Sequence, residues 1–125
     1  MTFALWCVFV GLWLPLLWAG LSKWGGGYSN SRPREWMAAQ EGWRQRAIWA
    51  QSNAWEAFAP FAAAVLTAHF VGANQLIANL LAALFIVSRV LHGVFYVLDR
   101  STARSVAWFG GMVAVVGLFV AAASA

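Results

Sequence analysis

Residues Arg46 to Phe61 read Arg-Ala-Ile-Trp-Ala-Gln-Ser-Asn-Ala-Trp-Glu-Ala-Phe-Ala-Pro-Phe, and their reading decides the fold. The stretch heads as a helix into an apolar run, yet it carries Gln51, Asn53 and Glu56 where lipid is expected. Asn53, Glu56 and Pro60 fall at i, i+3 and i+7, on one helix face. A carboxylate at that depth in a membrane helix is costly and calls for a partner or a ligand. Pro60 has no N–H to offer the carbonyl of Glu56, which leaves that carbonyl without its usual bond.

Outward from this stretch the composition is that of a membrane protein. The 125 residues are 62% hydrophobic and 10% charged, against roughly 25% charged in a soluble domain. Charge-free runs from Thr2 to Ser22 and from Ser105 to Ala125 each have about the 20 residues of a bilayer crossing. Between Ala57 and Ser88 only His69 can carry charge, and Val71-Gly72-Ala73-Asn74 breaks that run into two antiparallel helices. Four membrane helices are therefore expected, at about 3–24, 35–71, 75–98 and 102–124, in one membrane domain over 1–125. The fold class is all-α, a transmembrane four-helix bundle.

The first helix lacks the basic start of a signal peptide, since the first positive residue is Lys23, and it reads as retained. Cys7 has no second cysteine to pair with and reads as an inert buried thiol. The net charge of +4 sets orientation and needs no nucleic acid. Lys23, Arg32, Arg34, Arg44 and Arg46 follow the first helix, and Arg100 and Arg104 join the third to the fourth. Four crossings put both connections on one side, so the basic loops 23–46 and 99–104 are expected in the cytoplasm. Several of the nine tryptophans, Trp36, Trp43 and Trp49 among them, lie beside charges where an interfacial belt belongs.

A second polar set lies in the third apolar stretch. Arg89, His92 and Tyr96 again stand at i, i+3 and i+7. Glu56 and Arg89 are each roughly 15 Å from the basic surface, counting inward from Arg46 and Asp99 at 1.5 Å per residue. Antiparallel helices bring the two to one level, which favours a buried ion pair. Arg104 and Ser105 stand in the first turn of the last helix, where N–H groups are unpaired and the dipole is positive. An anion or thiolate is welcome there. The inward set is then Gln51, Asn53, Glu56, Arg89, His92, Tyr96, Arg104 and Ser105. A structural Glu–Arg pair needs none of the other six, whereas a ligand with both a carboxylate and an ammonium uses them. His69, near the far end of its helix, stands apart. No metal is expected, because no His/Cys cluster has ligand spacing.

The stretch Ala50-Gln-Ser-Asn-Ala-Trp-Glu-Ala-Phe-Ala-Pro-Phe61 resembles the second-helix signature of the MAPEG family, membrane-associated proteins in eicosanoid and glutathione metabolism. Arg89-Val-Leu-His-Gly-Val-Phe-Tyr96 resembles its third-helix motif, and Arg104-Ser-Val106 the start of its fourth helix. The likeness runs over essentially the whole chain and looks more like bacterial members, which implies a bacterial inner membrane. It implies a homotrimer of four-helix protomers with glutathione, as co-substrate, bound between subunits near the cytoplasmic face. On that reading Asn53 and Glu56 hold the tripeptide, and Gln51, Arg89, His92 and Tyr96 line the pocket. Arg104 faces the thiol with Ser105 beside it, in a transferase or peroxidase acting on a lipophilic electrophile from the membrane. Well-known members carry an arginine where Trp49 or Ser52 stands here, and Arg46 is the substitute on the same face. Trp108 stands where some members have tyrosine. Two other readings remain: a non-enzymatic member of the same fold, and a small four-helix exporter. The exporter would hold its carboxylate in the first helix, which has none.

Overall fold

A computed structural model describes residues 1–125 as five helices: α1 (Phe3–Lys23), α2 (Pro33–Ala38), α3 (Gly42–Phe70), α4 (Gln75–Val97) and α5 (Ser101–Ala123). The single helix expected over 35–71 is thus two. Gly42 sits at φ +62, a left-handed conformation that interrupts a right-handed helix and that only glycine takes without a Cβ penalty. The short helix also begins earlier than expected, at Pro33, whose fixed φ suits a first helical position.

Local chemistry sets the other ends. The Thr2 hydroxyl caps α1 by accepting from the Leu5 N–H at 3.4 Å. The Asn79 carboxamide oxygen of α4 takes the Ala4 N–H at 3.0 Å, so another helix satisfies a second free donor of that first turn. At the end of α3, the Ala73 N–H donates to the Ala68 carbonyl at 2.9 Å and the Gly72 N–H to His69 at 3.2 Å. Gly72 takes φ +76 to make this possible. Asn74 then caps α4 through Leu76 N and Ile77 N. The expected break at 71–74 is therefore a tight helix-to-helix turn. The α4–α5 turn uses the same device with Asp99 at φ 58 and the Arg100 N–H on the Phe95 carbonyl at 2.8 Å.

α3 and α4 form the centre of the molecule. Each touches the other and also α1 and α5, while α1 and α5 do not meet. Phe61 and Phe85 join the central pair as a buried stack, ring centroids 3.8 Å apart and planes at 6°. Around them the core is mostly alanine, including Ala64, Ala68, Ala78, Ala82 and Ala114. Small residues suit helices in lipid, where close backbone packing replaces the hydrophobic drive.

Trp18 of α1 lies directly against Gly93 of α4, where a Cβ would overlap the indole ring. Gly93→Ala is expected to force that ring aside and to cost about 1–3 kcal/mol. Reversible unfolding in mixed micelles measures this loss.

Two contacts fix which ends lie together. The Arg46 Nε–H donates to the Val97 carbonyl at 3.0 Å, tying the start of α3 to the end of α4. The Ala4–Asn79 bond joins the starts of α1 and α4 at the opposite end. Both basic connections therefore lie at one end and the 71–74 turn at the other. α1, α4 and α5 are each long and apolar enough to cross a membrane. Their outward faces carry Phe9, Trp13, Leu80, Val87, Val113 and Val120, all exposed. α3 is the longest helix, at 29 residues, but it carries Arg44, Arg46, Asn53 and Glu56.

Candidate functional site

The polar residues of α3 and α4 meet because those helices are the central pair. Arg89 is only 4% exposed, so its guanidinium depends on protein groups for hydrogen bonds. It donates to the side-chain oxygen of Asn53 and, at 3.4 Å, to the Asn53 backbone carbonyl. A second neighbour is His92 Nδ1 at 3.3 Å. The Asn53 amide nitrogen in turn donates to Glu56 Oε2 at 3.4 Å.

This corrects the expected ion pair. Glu56 and Arg89 do reach the same level and border one cleft, but the one ion pair within the chain is Arg32–Glu35 at the surface. Asn53 stands between the two charges. A carboxamide accepts with its oxygen and donates with its nitrogen, so it serves a guanidinium and a carboxylate at once. Glu56 itself is exposed on the flank of a single chain.

Three hollows surround Asn53. The first, of about 170 Å³, runs between α3, α4 and α5, with Glu56 and Arg89 at its polar end and Phe85, Met112 and Val115 along its apolar wall. The second lies toward the basic end and is bordered by His92, Tyr96, Arg104, Ser105 and Trp108. The third is bordered by Trp49, Ser52, Glu56 and Tyr96. In a single chain they open outward on the side where α3, α4 and α5 are exposed, and α1 borders none of them.

Arg104 enters from the first turn of α5. Its guanidinium carbon stands 4.4 Å above the centre of the Tyr96 ring. The same ring meets His92 edge-on at 5.5 Å and Trp49 at 6.2 Å. Ser105 is exposed beside it.

Seven of the eight expected residues thus border one connected region, and Gln51 does not. Two positions of helix turn a side chain about 200° from Asn53, and the Gln51 side-chain oxygen is buried without a partner. Arg46 borders none of the hollows either, because its Nε–H is spent on the Val97 carbonyl. The expected substitute cation therefore serves the join between α3 and α4. Trp49 is expected from the sequence as an interfacial anchor and a departure from the family motif, yet it borders the third hollow. Its place four residues before Asn53 on the same face is the signal for that. His69 lies at the opposite end beside Thr2 and Gln75.

The MAPEG family model matches residues 3–124. Comparisons with curated proteins and with solved structures returned no match. A family match over nearly the whole chain, with three helices apolar enough to cross a bilayer, makes this an integral membrane protein of the MAPEG family.

Proposed function

We propose that the protein is a glutathione-dependent membrane transferase or peroxidase, built as a homotrimer of protomers with four crossings. One observation carries the reading: a carboxylate and two arginines from three helices converge on one outward-opening region, and Asn53 links two of them. Glutathione has a matching set of groups, an ammonium, two carboxylates and a thiol. α3 is the fourth crossing, lying between the other three helices. Glu56 on its exposed flank is costly against lipid. A second copy over that flank removes the cost and closes the site between subunits. The basic connections then face the cytoplasm.

In this site Glu56 receives the ammonium, while Asn53, Arg89, His92 and Tyr96 line the tripeptide. Gln51, on another face, has no part. Arg104 holds the thiol as thiolate at the positive end of α5, with Ser105 beside it. An unperturbed thiol, with pKa about 8.5, is mostly protonated at neutral pH. With an alkylating or arylating electrophile, the sulfur forms a bond to carbon and the leaving group departs with its electron pair. With an organic hydroperoxide, the sulfur takes the terminal oxygen and the alkoxide leaves and is protonated. The sulfenic acid then condenses with a second glutathione to give the disulfide and water.

Calorimetric titration of the detergent-purified protein with glutathione, alongside its oligomeric mass, tests the reading. Saturable heat and a mass of three protomers are expected. The second reading is a member of the same fold without glutathione chemistry. It draws support from Trp49 and Ser52, and from the commitment of Arg46 to Val97. No heat and no thermal shift at millimolar ligand decides in its favour.

A further inference from the structure

We infer that Trp49 is a positioning residue for Arg104 and acts through the ring of Tyr96. The starting point is how Arg104 is held. No carboxylate lies within ion-pair distance of it, since the only such pair in the chain is Arg32–Glu35. Its partner is the face of Tyr96, 4.4 Å from the guanidinium carbon. An aromatic face attracts a cation through its quadrupole and takes up no N–H group. A carboxylate would occupy two of the five donors and cancel the charge. Held by a ring, Arg104 keeps both its charge and its donors for an anionic ligand.

That arrangement is only as well placed as the ring. Tyr96 is the second-last residue of α4, which ends at Val97 before the turn to α5, and last turns of helices fray. Two side chains pack on the Tyr96 ring from the sides. His92 meets it edge-on at 5.5 Å, from one turn back on the same helix. Trp49 meets it at 6.2 Å with the planes at 51°, and it alone of the two comes from another helix. Arg46, three residues before Trp49, ties the backbone of the same turn through the Val97 carbonyl. The start of α3 therefore holds the end of α4 twice, by backbone through Arg46 and by ring through Trp49. Trp49 is 46% exposed, so shortening it opens no closed core cavity, and its positioning role is separable from folding.

Two measurements on the full-length detergent-solubilised protein test this. In the first, the Nε–H resonance of Arg104 is assigned by its loss in Arg104→Lys. A proton held over a ring face is shifted upfield, so Tyr96→Leu sets the zero point. Trp49→Leu is expected to remove half or more of that shift, and Trp49→Phe to keep most of it. An unchanged resonance in Trp49→Leu, with oligomeric mass and helix content intact, overturns the inference. So does equal loss in Trp49→Phe and Trp49→Leu. If Trp49→Leu alone is misfolded, Trp49→His, which keeps an aromatic ring, is compared with Trp49→Gln, which does not. The His variant is then expected to keep more of the shift, and equal shifts overturn the inference.

The second measurement rests on the glutathione reading. The pH midpoint of thiolate absorbance with bound glutathione is expected to rise by about half to one unit in Trp49→Leu. Trp49→Phe is expected to restore it. A midpoint that stays at the wild-type value in Trp49→Leu counts against Trp49. Absence of any glutathione binding by the wild-type protein counts against the proposed function instead. The resonance measurement needs no glutathione and decides the role of Trp49 in either case.

Discussion

Arg104→Ala is expected to abolish thiolate absorbance at neutral pH and to lower turnover with a generic aryl electrophile about 100- to 1,000-fold. The reason is the placing of the charge. Arg104 stands in the first turn of α5, above Tyr96 and next to the exposed Ser105. It is the one arginine that borders the second hollow, and it has no carboxylate partner. Without it, the thiol of bound glutathione returns toward its unperturbed pKa of about 8.5, so thiolate forms only as the pH approaches that value. Glutathione affinity measured by calorimetry is expected to change far less than turnover, because Glu56, Asn53 and Arg89 remain. Arg104→Lys keeps the charge but loses the planar fork, and is expected to fall between the two. Full thiolate absorbance and full turnover in Arg104→Ala would show that another group activates the sulfur.

Asn53→Leu is expected to destabilise the protein by about 2–3 kcal/mol and to eliminate glutathione binding. Two effects coincide at this position. Arg89 is buried and loses the side-chain acceptor of its guanidinium, keeping only the 3.4 Å bond to the backbone carbonyl of residue 53 and the His92 contact. A buried cation so poorly compensated is expensive. Glu56 loses the amide that donates to it. A double-mutant cycle separates structure from binding. In Asn53→Leu/Arg89→Met the orphaned charge is gone, and most of the lost stability is expected to return. A coupling of about 1–3 kcal/mol between the two sites follows, measured by unfolding in mixed micelles. Binding is not expected to return in the double variant. Additive losses, with no recovery, would show that Asn53 does not carry the burial of Arg89.

Much of the site was legible in the chain because depth in a helix is a matter of counting. Glu56 and Arg89 were expected at one level, and they border one cleft. The faces Asn53–Glu56–Pro60 and Arg89–His92–Tyr96 followed from helical spacing alone. Arg104 and Ser105 were expected in the first turn of the last helix, where α5 begins at Ser101. What failed involved a third party. The Glu56–Arg89 pair is interrupted by Asn53, because the shorter side chain on the same face reaches the guanidinium first. Arg46 was expected in the site on the grounds of its face. It is instead spent on a carbonyl of another helix, which no periodicity within α3 reveals. Gln51 was a different kind of miss. Its rotation away from Asn53 was present in the spacing, but the polar composition of the stretch outweighed it.

The break before α3 was also readable in part. Gly42 is the residue that admits φ +62, and its place among polar neighbours marks a turn. The strong amphipathic pattern of Trp36, Trp43 and Trp49 on either side concealed it.

By itself, then, the sequence determined the membrane class, the helix ends at 71–75 and the residues able to carry charge within the apolar stretches. These are properties of hydropathy and of local hydrogen bonding, which operate over a few turns of chain. Tertiary structure alone decided that α3 and α4 are the central pair, that Trp18 seats on Gly93, and that Asn53 stands between two charges. It also set Arg104 on an aromatic ring instead of a carboxylate. Each of those outcomes depends on which side chain of one helix fills the space left by another. That competition is settled by shape and reach across the bundle, and neighbours in sequence do not record it.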